Sequence, residues 1–229
     1  MRAMILAAGR GTRMGGLTDG RPKPLLSLGE ESLLERHIRR LAVAGFRDIV
    51  INVSYAAAQI QEAIGTGERW NLSIRYSVEG EPPLETGGGI VNALPLLGAE
   101  PFVVVNADVL TDFDFAGLRL DAGLGLLVLV ANPAHNTAGD FGVDARSRIV
   151  SSPSVGATSV ATLTFAGISV LDPALFAGLA PGRRQQLKPI LDSGIARGEL
   201  YGFRYDGFWI DVGTPERLAI ARAKARDLG

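Results

Sequence analysis

Apolar and polar positions along the first half of the chain alternate between two periods. Residues 3–8 form a short apolar run closed by glycines, the pattern of a buried strand. Ser32 and Glu35 have capping-box spacing, Leu34, Ile38 and Leu41 share one helical face, and Gly45 can close that helix. Residues 49–53 predict the next strand, 56–64 a helix stopped by Gly65, and 72–76 an alternating strand. Residues 79–89, rich in proline and glycine, read as a loop, and a short helix ending near Pro95 follows. Residues 102–105 are a continuous apolar strand with Asn106-Ala107-Asp108 at its carboxyl end.

The second half is less regular. Strands are expected over 124–130, 162–171, 200–205 and 208–212, and a mobile loop or hairpin end over the Ser-, Gly- and Pro-rich residues 151–159. Thr214-Pro215 starts a terminal helix running to about Asp227. Strand–helix alternation implies an α/β fold: a single Rossmann-like three-layer domain around a mixed, mainly parallel sheet. Its range is 1–229, with halves over 1–110 and 111–229. Ligands of such sheets lie at the carboxyl ends of strands, where the glycine loop after the first strand and Asp108 both fall.

Composition narrows the chemistry. At 229 residues, 47% apolar and 21% charged, the chain can bury a full core and does not read as disordered. The net charge of −1, with no Lys/Arg run, argues against nucleic acid as a partner. With no cysteine and only His37 and His135, thiolate and multi-histidine metal sites drop out, leaving hard oxygen ligands that favour Mg²⁺. Apolar runs are too short to span a bilayer, and Gly9 to Gly11 interrupts any signal-like stretch, so a cytoplasmic protein without membrane partners is expected.

Gly9 and Gly11 let backbone N–H groups approach phosphate oxygens, and Arg10 and Arg13 can add charge-assisted bonds. A strand followed by Gly-x-Gly serves a plain tight turn equally well. Lys23 sits between Pro22 and Pro24, whose rings stiffen the backbone into a mount suited to a phosphate-meeting cation, although a solvated loop lysine is the usual alternative.

Together, Leu6-Ala7-Ala8-Gly9-Arg10-Gly11-Thr12-Arg13-Met14 and Pro22-Lys23-Pro24-Leu25 resemble the signature of the sugar-1-phosphate nucleotidylyltransferase family. Pro83-Leu84-Glu85-Thr86-Gly87-Gly88-Gly89, Asn106-Ala107-Asp108 and Trp209-Ile210-Asp211-Val212-Gly213-Thr214-Pro215-Glu216 extend the likeness over essentially the whole chain. Within the family, 79–90, Gly139-Asp140-Phe141 and 162–171 are similar to the N-acetylmuramate 1-phosphate uridylyltransferases of cell-wall recycling.

The resemblance implies transfer of a uridylyl group from UTP to a sugar 1-phosphate, with Mg²⁺ held by Asp108 and Asp211. Arg13 and Lys23 would be catalytic. Leu6, Ala8, Gly9, Gly11, Thr12, Arg13, Lys23, Glu85, Gly87 and Asn106 would bind nucleotide, and Asp140 and Gly167 the sugar. The half over 1–110 would be the nucleotide-binding half and that over 111–229 the sugar-binding half, and the protein would act as a monomer or small homo-oligomer. Two departures stand out: residues 148–153 lack the lysine with which many relatives meet the sugar phosphate, and Pro82-Pro83 adds a residue to the base-side loop. Arg148, Arg183, Arg184 and Lys188 are candidate readers of a substrate carboxylate, and His135 a possible substrate contact.

Three other readings remain open at this level: a guanylyl-, thymidylyl- or cytidylyltransferase of the same family, a non-catalytic nucleotide-binding subunit, and a glycosyltransferase using Asp112-Phe113-Asp114 as its metal motif. Against the last, Asp112 and Asp114 fit the capping of a helix at Phe113, and His37 reads as a surface or half-buried helix residue.

Overall fold

The computed structural model describes residues 1–151 and 161–228. The expected mobile loop over 151–159 lies, apart from Ser151, outside the described residues. The strands are β1 (Arg2–Leu6), β2 (Asp48–Val53), β3 (Ser73–Val78), β4 (Phe102–Asn106), β5 (Val109–Thr111), β6 (Gly125–Val130), β7 (Phe141–Val143), β8 (Ile149–Ser151), β9 (Thr162–Leu171), β10 (Leu200–Arg204) and β11 (Trp209–Asp211). The helices are α1 (Leu33–Val43), α2 (Ala57–Ile64), α3 (Glu85–Leu97), α4 (Leu187–Ala196) and α5 (Pro215–Ala225).

The main sheet runs β10-β6-β9-β4-β1-β2-β3, with β7 and β8 attached beside β9. β1 pairs in parallel with β2 and β4, β2 with β3, and β10 with β6, whereas β9 is antiparallel to both its neighbours β4 and β6. The sheet is therefore mixed and mainly parallel. The β4–β9 pairing carries it across the expected division at residue 110.

Pleating explains the continuous apolar strands. On β1, Ala3 and Ile5 face a core packed by Leu34, Ile38 and Leu41 of α1. Met4 faces the opposite core, where Ile90 of α3 and Leu187 and Ile190 of α4 pack. A third cluster joins Leu218 and Ala221 of α5 to Met14, Leu26 and Leu110. The capping box forms as expected, with Glu35 N–H donating to Ser32 Oγ and Ser32 N–H to the Glu35 carboxylate.

Local rules fail in three places. Residues 79–89 are not all loop: α3 starts at Glu85, carries Gly87 to Gly89 and continues through Pro95 to Leu97. Tertiary packing overrides weak helix propensity there, because a Cβ on Gly88 would sit 2.3 Å from the Arg183 carbonyl oxygen. No helix forms at Phe113; instead Phe113 N–H donates to Thr111 Oγ1, and Asp114 accepts from Ala116 N–H in a turn. His37 is 3% exposed rather than superficial, since its side of α1 faces the backbone at Val109.

Candidate functional site

The carboxyl ends of β1 and β4 lie side by side, Leu6 in register with Asn106, and both open onto one cavity of about 350 Å³. Leu6, Ala8, Gly9, Gly11, Thr12, Arg13, Lys23, Glu85, Asn106 and Asp108 all line it. Gly11 has a φ of +67°, and a Cβ there would sit 2.8 Å from Lys23 Cβ, so glycine is what lets the loop close on the lysine.

Lys23 opens a short 3₁₀ turn after extended Pro22, is 8% exposed, and places Nζ 2.5 Å from Asp108 Oδ2. A lysine so buried needs a counter-charge, and the pair puts the expected triphosphate cation against one expected metal ligand. Arg13 is exposed at the rim, and Arg10 pairs with Glu81 at 2.7 Å.

A buried polar network underlies the loop. Ala7 N–H donates to Asn52 Oδ1 at 2.8 Å, Asn52 Nδ2 to Glu79 Oε1 at 2.6 Å, and Leu84 N–H to Glu79 Oε2 at 2.8 Å. It ties the glycine loop to the segment entering α3. Glu85 begins α3 at a φ of +64°, a strained value for a residue with a side chain, and its carboxylate meets Arg184 at 2.7 Å. A glycine at this position would leave that backbone unstrained.

The second aspartate arrives on a separate antiparallel ribbon. β11 pairs with β5, Asp211 opposite Val109, and Val212 N–H donates to the Asp108 carbonyl at 2.7 Å. Two aspartates far apart in sequence thereby become neighbours. Arg217 Nη2 holds Asp211 Oδ2 at 3.1 Å. His135 Nε2 stands 2.9 Å from Asp211 Oδ1, but out of hydrogen-bond alignment, so this buried oxygen is left without a hydrogen-bond partner. An orphaned carboxylate oxygen beside a second carboxylate fits a hard divalent cation. Among the described residues no cluster of three or more His, Asp or Glu converges for a metal.

A second cavity of about 260 Å³ adjoins the first and shares Arg13, Asn106 and Asp108 with it. Gly167, His135, Asn136, Thr164, Trp209 and Asp211 complete much of its wall. Beside it, His37 has its pKa pushed down to about 4, chiefly by burial, which outweighs the Val109 backbone and Asp108.

Not every candidate residue reaches these cavities. Gly87 packs under them, with its Cβ position 2.8 Å from the Gln186 carbonyl oxygen. Asp140 spends both oxygens on structure, accepting from Asn136 Nδ2 at 3.1 Å and Phe165 N–H at 2.8 Å. Arg148 bridges to Tyr201 near the start of β10, away from the carboxyl ends of β1 and β4. Arg183 belongs to the strand-like segment packed on α3, and Lys188 pairs with Asp192 one turn on. Asp112 accepts from the Tyr205 hydroxyl, whose pKa burial and Asp112 both raise, and lines neither cavity.

Sequence reasoning missed Asn52, Glu79 and Arg217. Asn52 carried a signal, a polar residue inside the apolar run 49–53; Glu79 and Arg217 had none without the fold.

The family model described as nucleotidyl transferase matches residues 2–146. The chain belongs to the nucleotidyl transferase family. Among its relatives, the N-acetylmuramate alpha-1-phosphate uridylyltransferase of Neisseria meningitidis serogroup B is 44% identical over 231 residues, covering 98% of each chain. The mannose-1-phosphate guanyltransferase of Schizosaccharomyces pombe is 31% identical, over 94% of this nucleotidyltransferase but only 62% of the yeast enzyme. In structure, a putative glucose-1-phosphate thymidylyltransferase from Bacillus anthracis superposes with a TM-score of 0.86 at 22% identity, covering 100% of this chain and 97% of that one, and so shares the fold.

Proposed function

We propose that this nucleotidyltransferase moves a uridylyl group from UTP to N-acetylmuramate α-1-phosphate, releasing pyrophosphate and serving peptidoglycan recycling in the cytoplasm. The observation that carries the reaction type is the meeting of Asp108 and Asp211 at the boundary of two adjoining cavities, one lined by the glycine loop and Lys23. The full-length likeness to the meningococcal enzyme favours this base and this sugar. No helix among the described residues is long and apolar enough to cross a membrane.

The acceptor phosphate is already anionic, so attack of its oxygen on the α-phosphorus needs no general base. The difficulty is bringing two anions into line, and catalysis is positioning plus charge neutralisation. The glycine loop offers backbone N–H groups to the triphosphate, and Arg13 stands at its rim. Lys23 leaves Asp108 to meet the phosphates and stabilises charge that grows on the departing pyrophosphate. Mg²⁺, held by Asp108 and Asp211 with phosphate oxygens and waters, would supply further charge neutralisation. Arg217 holds Asp211 through Oδ2, leaving Oδ1 as the oxygen that would take the cation.

The test is a matrix of UTP, GTP, dTTP, CTP and ATP against several sugar 1-phosphates, read as pyrophosphate release with Mg²⁺. UTP with N-acetylmuramate α-1-phosphate should turn over fastest. Turnover with GTP and mannose 1-phosphate but none with UTP would favour the guanylyl reading that the yeast relative suggests.

A further inference from the structure

We infer that His135 is the donor that receives the acceptor's phosphate. The inference rests on the functional reading above and assigns a residue to its acceptor side. Among the described residues, the side-chain nitrogens lining the second cavity belong to Arg13, Asn106, His135, Asn136 and Trp209. Trp209 Nε1 is committed to the Ala166 carbonyl at 2.8 Å, and Asn136 Nδ2 to Asp140 and Thr164. Asn106 is a neutral amide packed against Gly167. Arg13 lines both cavities and is already assigned to the triphosphate in the functional reading. His135 remains, at a place where a dianionic phosphate must be drawn towards another anion.

The surroundings of His135 suit that task. Its Nε2 lies 2.9 Å from Asp211 Oδ1 without forming an aligned hydrogen bond, so the ring stands beside the candidate metal carboxylate and its N–H is not spent on an aligned bond there. The side chain is 41% exposed and reachable by a ligand. The loop carrying it is braced on both sides. Asn132 Nδ2 donates to the Thr162 carbonyl at 3.1 Å, and Thr164 Oγ1 donates to Asn132 Oδ1 at 2.9 Å. Asn136 and Asp140 bond each other, and Asp140 accepts from Phe165 N–H. Four polar side chains thus fix a loop whose outward product is the position of one imidazole, and preorganisation of this kind suits a donor that must meet a developing charge. It also gives Asp140 a part in positioning the loop.

The test uses the full-length enzyme as wild type, His135→Ala and His135→Gln, with UTP, Mg²⁺ and two acceptors, N-acetylmuramate α-1-phosphate and N-acetylglucosamine α-1-phosphate. Both carry the phosphate and only the first carries a carboxylate. His135→Ala should raise the KM for each acceptor about tenfold, equivalent to about 1.4 kcal/mol. The KM for UTP, the melting temperature and the affinity for Mn²⁺ measured by electron paramagnetic resonance should stay near wild type. His135→Gln, which keeps an N–H donor, should recover part of the loss.

An unchanged acceptor KM in His135→Ala overturns the assignment. So does a loss confined to the carboxylate-bearing acceptor, which would make His135 a carboxylate reader, or a fall in Mn²⁺ affinity that tracks the rate, which would make it part of the metal site. A wild-type enzyme that turns over neither acceptor with UTP fails the functional reading alone. The same variants are then compared on the nucleotide and sugar phosphate that the enzyme does use, with the same outcomes deciding.

Discussion

Replacing Asn52 by alanine tests the idea that the phosphate loop is held from below by buried polar bonds. Asn52 is 3% exposed and Glu79 6% exposed at the floor of the larger cavity, so little water reaches the bonds the mutation removes. The substitution deletes the acceptor of Ala7 N–H and the donor to Glu79 Oε1. Stranding a buried polar group costs about 1–3 kcal/mol, so two of them should cost about 3 kcal/mol together, allowing for partial relaxation. For a chain of this size each kcal/mol lowers the melting temperature by about 2–4 °C, giving a fall of about 6–12 °C. Circular dichroism melts, with urea midpoints as a second measure, read this directly. Because Ala7 leads into Gly9 and Gly11, the KM for the nucleotide should rise while that for the acceptor changes less. A melting temperature within about 2 °C of wild type would refute the argument, since among the described residues Ala7 N–H and Glu79 Oε1 have no other hydrogen-bond partner than Asn52.

Asp108→Asn and Asp211→Asn should each keep the fold and lower the Mg²⁺-dependent rate roughly 100-fold or more, with Mn²⁺ binding weakened in parallel; a variant of either kind with wild-type Mn²⁺ affinity would remove that residue from the metal site. Lys23→Ala should lower kcat by roughly 10²–10³ with a smaller loss of nucleotide affinity, because its charge is needed most as pyrophosphate departs. Equal losses in single-turnover rate and nucleotide affinity would contradict that role. His37 binds a proton in the unfolded chain below about 6.5 but resists it when folded down to about 4. Its neutral, buried state therefore contributes stability that is fully present above pH 6.5 and is lost as pH falls towards 4. Between pH 7 and pH 5 the loss should be about 2 kcal/mol in urea titrations, and His37→Leu should flatten that pH dependence; an equal slope in the variant would show that other groups cause it.

Much of this was legible in the chain. The continuous apolar runs of β1, β2 and β4 and the Ser32 capping box are local signals that the fold merely assembles. The glycine loop with Lys23 between prolines, and the two aspartates, identified the family from residues alone, and those residues line adjoining cavities. What escaped was set by contacts between distant segments. The glycines of α3 looked like a loop because their helix depends on backbone packing against the segment at Arg183. The burial of His37 depends on which strand α1 covers. Arg217 and Glu79 matter only because β11 and α3 bring Asp211 and Asn52 to them, and no spacing rule in the sequence encodes those meetings. Asp140 looked like a substrate residue by resemblance, but its two oxygens are both occupied in bracing the His135 loop.

The most direct test of the central claim is product analysis by mass spectrometry after incubating the wild-type enzyme with UTP, N-acetylmuramate α-1-phosphate and Mg²⁺. The account predicts UDP-N-acetylmuramate and pyrophosphate in equal amounts, and neither when a chelator removes the metal or when Asp211 is replaced by asparagine. Recovery of both substrates unchanged, under conditions where the protein binds nucleotide and metal, would contradict it.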